Sequence, residues 1–561
     1  MKADLTRNTF DALRHFDRVL MQQGRVQLDA DWNEQGELLL AALRTLAADI
    51  IGPQGGPTLD WGFALTALPQ SQAKGDFRIG AGRYYVDGIP CDVDGQVVNL
   101  AASPGGNVPA NATTVSVIVD QWTVDGIPFA NGQLVEIFDA VQIPNVQPAF
   151  QPTVVQITSA VQGTMTLGLQ GAPSIASATA PSLRRIVTYL TQPDFPGAPA
   201  LAQGDALIYL DVWERLITYI EDDDIREVAL LGPDTAARSK IVWQVKALAG
   251  SRGIQSEKSS ACDNFQPSDS GFLARLFGAN QGRLKSRAKQ TTASADPCII
   301  SPSARYTGPE NQLYRVEIHR LGTAWDGSTA GKSSAATFKW SRENGSVAFP
   351  IVSVNTGNGT TTAVLASLGR DDRLGIKEGD WVDLQDDDSV LANQAQSLLQ
   401  IQAIDSSSRT VTLSGSTSIQ GDPALHPLLR RWDQKEGDQA DGGLQLASDN
   451  AALILEASGD TWLELEDGVQ IQFQPPFGNR PANQYRSGDY WLIPARTATG
   501  DVEWPTEAGV DSQGNAIVVQ LAKSPDGIGH HYAPLGVVNI NADGNASLSG
   551  DCRKKFGPIA S

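Results

Sequence analysis

GQLVEIFDA at residues 132–140 and GDWVDLQDD at 379–387 are two readings of one pattern, a Gly-led turn followed by alternating apolar residues and a closing acid. Each is followed by a second matching pair of strands, VVQITSAVQGTMTLGL at 154–169 and LLQIQAIDSSSRTVTLSG at 398–415. The spacing from Val135 to Ile157 resembles that from Val382 to Ile401. The repeat predicts two copies of a small β-barrel-like module, each inserted into a larger β scaffold. GDYWLIPA at 488–495 is a partial third echo. Two copies are too few for a solenoid or propeller.

The surrounding chain reads as strand and turn. FRIGAGRYYVDGIPCDVDG, TTVSVIVDQW, ALIYLDVWERLITYI, IVWQVKAL, LYRVEIHRLG and TFKWSRENGSVAFPIVSV are β-branched or aromatic runs between Gly, Asp, Asn and Pro turns. Asp87-Gly88, Asp94-Gly95 and Asn344-Gly345 are hairpin pairs. The expected class is mainly β (α+β), an antiparallel scaffold built from meanders or sandwiches rather than βαβ units. The expected division is a helical segment over 1–52, scaffold over 60–130 and 187–250, a barrel-like insertion over 131–186, and a polar loop region over 251–300. Scaffold resumes over 301–350 and 420–561, around a second barrel-like module at 351–419. The polar stretch ANQGRLKSRAKQTTASADP (279–297) is read as a solvated surface insertion.

The N-terminal segment is the exception to the β pattern. Trp32, Leu39, Leu43, Leu46 and Ile50 fall at three–four spacing, a stripe on one helix face that Gly52 and Pro53 end. The stripe is expected to pack on, or dock into, the β scaffold. Phe10, Leu13, Phe16 and Leu20 suggest a shorter helix upstream, separated by Gly24. Between them, Asp29, Asp31 and Asn33 match the first three ligand positions of a calcium loop. The loop's Gly is replaced by Glu34 and its bidentate Glu by Leu40, so the ligand set is short. The spacing instead predicts Asp31 as helix cap, with Glu34 completing a capping box, and leaves Asp29 to fix the preceding loop.

Composition narrows the function. The 561 residues carry net charge −20, with 43 basic against 63 acidic side chains, which argues against a duplex-binding surface. No apolar run is long enough to span a bilayer, and MKADLTRNTFDALRHF lacks a signal core, so cytoplasmic assembly is expected. Cys91, Cys262, Cys298 and Cys552 lie far apart without a C-x-x-C pair, so no structural zinc site is expected. Cys262 and Cys298 flank a polar loop and could pair, but reduced thiols are the expectation in a cytoplasmic protein. His319 alternates with Leu313, Arg315 and Glu317 on one strand face, where a hydrogen-bonding role is expected. The familiar motifs of hydrolases, metalloproteases and nucleotide binders are missing in usable context, and no cofactor or catalytic set is assigned. Carboxylate pairs for glycoside hydrolysis come from distant strands, on which sequence spacing is silent.

What recurs is a grouping of Trp, Arg and carboxylate. It appears at Trp213-Glu214-Arg215, Trp340-Ser341-Arg342, Arg430-Arg431-Trp432-Asp433 and Glu503-Trp504. Such residues serve either as scaffold inside sheets or as interface anchors. With Trp32, Leu39 and Leu43, they are the candidate interface or scaffold residues.

Long motifs carry a resemblance. TRNTFDALRHFDRVLMQQGRVQLDADWNEQ, GRYYVDGI, LDVWERLITYIED, LLGPDTAARSKIVWQV, ENQLYRVEIH, FKWSRENGSV, EGDWVDL, RRWDQ, LEDGVQIQF, GDYWLIPARTATGDVEWP, HHYAPLGVV and DCRKKFGPI together resemble a domain-of-unknown-function family encoded in bacterial contractile injection system gene clusters. Residues 130–186 and 253–297 match it less clearly. The resemblance implies a structural or accessory part of a phage-tail-like particle, at the baseplate, spike or a peripheral fibre. It implies other particle subunits as partners, leaves a homo-oligomer open, and allows an extracellular location in a released particle. It supplies no catalytic residues. The alternative is a glycan or cell-surface binding module using exposed Trp and acidic loops, and after it a polysaccharide-active enzyme.

Overall fold

The computed structural model describes residues 1–68, 74–93, 96–102, 114–124, 127–140, 152–170, 179–230, 234–249, 262, 282–289, 305–439, 442–510, 514 and 516–557. The protein is mainly β, with an N-terminal helix α1 (Asp29–Ile51) and a short helix α2 (Asp387–Leu391). Two compact units are present, one formed by residues 44–212, 243–265 and 531–561, the other by 1–43, 213–242 and 266–530. Each contains a closed six-stranded barrel.

The first barrel comprises β1 (Val98–Ala102), β2 (Thr114–Val119), β3 (Leu134–Asp139), β4 (Thr153–Val161), β5 (Thr166–Gln170) and β6 (Pro181–Arg185). The second comprises β7 (Ala348–Gly357), β8 (Thr360–Leu365), β9 (Trp381–Gln385), β10 (Leu399–Asp405), β11 (Thr410–Ser414) and β12 (Leu428–Trp432). Around the first barrel the order is β1-β2-β5-β4-β3-β6, and around the second β7-β8-β11-β10-β9-β12. The connectivity is therefore identical. Inward residues alternate along each strand and fill the interior: Val135, Ile137, Val155, Ile157, Leu167 and Leu183 in one, and Val382, Leu384, Leu399, Ile401, Val411 and Leu429 in the other.

The likeness extends to single atoms. A bulge falls between Ile157 and Ser159 in β4, and between Ile401 and Ala403 in β10. Gly132 N donates to Ile157 O at 2.8 Å, and Gly379 N to Ile401 O at 2.8 Å. Gln156 Nε2 reaches Gly132 O at 3.1 Å, and Gln400 Nε2 reaches Gly379 O at 3.1 Å. Arg185 Nη2 donates to Pro128 O at 2.8 Å, and Arg431 Nη1 to Gly375 O at 2.6 Å. Independent strands converging on Gly-Asp-apolar starts would not share a bulge, a side-chain latch and a strand order. The echo in the sequence is a structural duplication.

The barrels are longer in sequence than expected. The predicted insertion at 131–186 holds only four staves of the first barrel. The other two, β1 and β2, come from the stretch assigned to scaffold, and β7 and β12 likewise extend the second barrel past 351–419. Strand alternation identifies a half-buried strand but not the sheet it joins.

Outside its barrel, the first unit has a four-stranded sheet ordered Lys555–Phe556, Gln54–Pro57, Gly82–Val86, Ile89–Val93. The hairpin between the last two turns at Asp87-Gly88, both with positive φ, as the pair requires. Asp94-Gly95 lies outside the described residues. Gly204–Val212 pairs along its length with His531–Ile540, which pairs in turn with Ala546–Asp551. Cys262 forms a disulfide with Cys552, which corrects both the expectation of reduced thiols and the pairing considered with Cys298. Cys298 lies outside the described residues, and Cys91 is free and buried.

The second unit has a five-stranded sheet ordered Ala452–Leu453, Thr337–Ser341, Gln312–Ile318, Tyr490–Arg496, Asp501–Val502. A three-stranded sheet, Arg283–Ala288, Val469–Gln474, Leu463–Glu464, shares its core. Phe473 joins the two, its ring centroid 5.2 Å from Phe338 and 5.9 Å from Trp491. The strand Arg283–Ala288 corrects, over those residues, the reading of 279–297 as a solvated insertion; 279–281 and 290–297 lie outside the described residues. Leu284, Ser286 and Ala288 alternate into the interior, and their small or mixed character concealed the pattern.

Candidate functional site

The acidic run at 29–35 holds a peptide. α1 begins at Asp29, so Asp31 lies inside the first turn rather than at its cap. Asp29 accepts hydrogen bonds from the backbone N of Thr6 (2.9 Å) and from the Thr6 hydroxyl. Glu34 Oε2 accepts from Thr9 Oγ1 at 2.5 Å, and Gln35 Oε1 from Val19 N at 2.8 Å. The Thr6 bonds favour the charged form of Asp29; burial opposes them, and its pKa nevertheless falls below the ordinary value. Among the described residues, no group of three or more His, Cys, Asp or Glu is placed to hold a metal ion. The predicted upstream helix is a single turn at Ala12–Arg14, with Leu13, Phe16 and Leu20 exposed. Only tertiary burial would stabilise so short a helix, and these side chains find none.

The peptide held this way seats its first residues on charged side chains of the second unit. Asn344 Nδ2 donates to Met1 O (3.0 Å) and Ala3 O (2.8 Å), and Arg315 Nη1 donates to Met1 O at 3.2 Å. Lys2 Nζ lies 3.0 Å from Glu317 Oε1. Glu317 also accepts from Arg315 Nε at 2.6 Å, and Lys339 Nζ bonds Asp383 at 2.6 Å. Arg430 stands opposite Asp383 in the register of β9 and β12. Further along, Arg7 pairs with Glu503 at 3.1 Å and Arg496 reaches Thr6 O at 3.2 Å. Burial alone would raise the Glu317 carboxyl, but Lys2, Arg315 and Lys339 outweigh it and hold it well below the usual carboxylate range. Burial lowers the Lys2 ammonium to about 8, against the pull of Glu317. Each acid is committed to cations, which suits the cluster to clamping a segment rather than to proton transfer.

The first unit repeats the core of this cluster. Glu136 stands opposite Arg184 across β3 and β6 as Asp383 stands opposite Arg430. Arg78 bonds Glu136 at 2.7 Å, as Lys339 bonds Asp383. The scaffold pairs Leu65↔Ile79 and Thr66↔Arg78 correspond to Val316↔Trp340 and Glu317↔Lys339. Glu317 thus has Thr66 as its counterpart, and the second acid belongs to the copy that receives Lys2. Sequence reasoning missed the cluster because Arg315, Glu317 and His319 read as one wet face of an alternating strand. In the fold, Gln312–Ile318 is buried along both faces. The available signal was the number of charges inside LYRVEIH and FKWSRE, unusual for strands flanked by so many aromatics.

His319 is buried, and its Nε2 has no hydrogen-bond partner among the described residues, so the hydrogen-bonding role expected for His319 is not met at that nitrogen. Burial, reinforced by Lys339, lowers its pKa from 6.5 to about 3. The fold therefore holds the neutral ring. Its contribution to stability is complete above about pH 6.5 and is lost as pH falls from there towards 3, by about 1.4 kcal/mol per unit. Urea unfolding at pH 7 and pH 4.5 should show a smaller acid loss for His319→Gln than for the parent; equal losses would contradict the assignment.

The remaining predicted residues divide cleanly. Trp213, Trp340, Trp432 and Trp504 are buried. Trp213 stacks on His530, Trp504 Nε1 donates to Leu521 O at 2.8 Å, and Lys339 lies 4.2 Å over the Trp432 ring. Arg215 pairs with Asp387, Arg342 with Glu466 (2.8 Å), and Arg431 with Asp433 (3.3 Å). These are scaffold contacts. Asp386 caps α2 in a capping box with Ser389, so that acidic run is a helix start.

By contrast, Trp32, Leu39, Leu43, Leu46 and Ile50 are exposed by 53% to 68%. The buried residues of α1 are Ala30 and Leu38, so the predicted stripe faces outward rather than onto the scaffold. Both faces of α1 carry apolar residues, and the outer one carries Trp32, Leu39, Leu43, Leu46 and Ile50.

These features define a β-scaffold protein with a duplicated, charge-anchored barrel and an exposed apolar helix. The chain belongs to the family described as "Family of unknown function (DUF6519)", whose model matches residues 1–116, 194–270 and 271–559. The unmatched stretch between the first two segments contains β3 to β6 of the first barrel. No curated protein and no solved structure matches the chain.

Proposed function

We propose that this protein is a structural subunit of a contractile, phage-tail-like injection particle, at its baseplate, spike or a peripheral fibre. The outward apolar face of α1 carries the reading, because five large side chains left in water along one helix mark a docking surface. The sequence resemblance to families encoded beside such particles supplies the particle. No catalytic group or cofactor belongs to this reading. Assembly takes place in the cytoplasm, and the Cys262–Cys552 disulfide supports later residence in an oxidising exterior. A glycan-binding module finds less support, since Trp213, Trp340, Trp432 and Trp504 are all buried.

The test is co-purification from particle-producing cells. The parent chain should travel with sheath and tube proteins. Leu39→Asp/Leu43→Asp should fold, because both side chains are already solvent-exposed, yet be absent from particles. Full incorporation of that variant, or a parent chain that never enters particles, would overturn the proposal.

A further inference from the structure

The outward face of α1 has a spacing of its own. Trp32, Gly36, Leu39, Leu43, Leu46 and Ile50 follow alternating steps of four and three. In heptad terms Gly36, Leu43 and Ile50 are a positions, and Trp32, Leu39 and Leu46 are d positions. All six are exposed. A seam of this strict kind fits another helix better than it fits a sheet, whose surface accepts a broader stripe.

The seam is also symmetric about Ala41. Trp32 and Ile50 lie equally far from it on either side, as do Gly36 and Leu46, and Leu39 and Leu43. Each pair joins a d position to an a position, the pairing made when two helices run antiparallel. A second copy turned about a two-fold axis at Ala41 would stack Trp32 on Ile50, seat Leu46 over Gly36 and close Leu39 on Leu43. Every layer then has a partner, and the one missing side chain, at Gly36, faces a large one. This is the self-complementarity that a two-fold contact requires. Charge agrees: the flanking Asp49 faces Gln35, and Asn33 faces Ala47, so like charges do not meet. The parallel alternative sets Gly36 against Gly36, leaving a void, and Asp29 against Asp29. At 23 residues α1 is about 34 Å long, room for all six layers.

We infer that the outer face of α1 is an antiparallel homodimer seam, its occupant the same helix of a second copy of this chain. The inference deepens the reading of α1 as a docking face by naming the partner.

Sedimentation of the purified full chain tests it. The parent should be dimeric at micromolar concentration, and Leu43→Asp should be monomeric with an unchanged circular dichroism spectrum. Cysteine pairing, measured against the unsubstituted chain, tests the direction. Ala42→Cys, beside the axis, should cross-link to its own copy under mild oxidation. Ile50→Cys should not, but should cross-link when mixed with Trp32→Cys chains. A monomeric parent, or Ile50→Cys joining its own copy, overturns the inference. If the isolated chain is monomeric and Leu39→Asp/Leu43→Asp still drops out of particles, self-pairing fails and the docking reading stands. A dimeric chain whose variant is incorporated normally gives the reverse.

Discussion

Replacing Glu317 with alanine should destabilise the second unit by about 3–5 kcal/mol, the cost of removing one partner from a buried ion cluster. The carboxylate is almost fully buried, and two cations bond it directly, Lys2 at 3.0 Å and Arg315 at 2.6 Å; Lys339 lies 3.7 Å away. Its removal leaves these cations in a region where water cannot replace the lost charge. The same change should also release the first residues of the chain, since Lys2 loses its anchor. Thermal unfolding measures the first effect, and limited proteolysis near the N-terminus the second. A loss under 1 kcal/mol, with an unchanged cleavage pattern, would mean that Asp383 alone balances the cluster.

Trp432→Ala should cost a similar amount, about 3–5 kcal/mol, for a different reason. The ring is 1% exposed and stands opposite Trp381 across β12 and β9. Its loss opens a cavity bounded by Leu398 and Ala451, which packed elements close only in part. It also strips the aromatic face from Lys339, 4.2 Å from the ring centroid. Trp432→Phe should recover much of the loss by refilling volume and restoring a ring face. Because Trp432 and Glu317 share Lys339, the double replacement should cost less than the two single costs combined. Denaturant midpoints of the four proteins measure this; strict additivity would count against the coupling.

The barrels were readable because their repeat carries both a turn signal and an apolar alternation, in GQLVEIFDA and again in GDWVDLQDD. Asp87-Gly88 was readable for the same local reason. What escaped depended on partners remote in the chain. β1 and β2 alternate like any scaffold strand, so their membership in the barrel is fixed only by the register of β6 and β5 beside them. The charges of LYRVEIH look solvated until Lys2, more than 300 residues away in the sequence, is found next to Glu317. The stripe of α1 was identified residue by residue, yet its direction was misjudged. A helix with apolar groups on opposite faces does not declare which one the scaffold takes, and here Ala30 and Leu38 are the inward residues. The missing Gly and Glu set Asp29, Asp31 and Glu34 apart from a calcium loop in the sequence, but Thr6 and Thr9, which bond Asp29 and Glu34, cannot be read from helix grammar.

In each barrel one carboxylate meets a scaffold cation, Glu136 with Arg78 and Asp383 with Lys339. The stretch that the family model passes over, 117–193, includes Glu136 and Arg184, whereas Arg78 lies in a matched segment. A chain that replaced this stretch would have to bring its own acid to meet Arg78, or leave a largely buried guanidinium without its counter-charge.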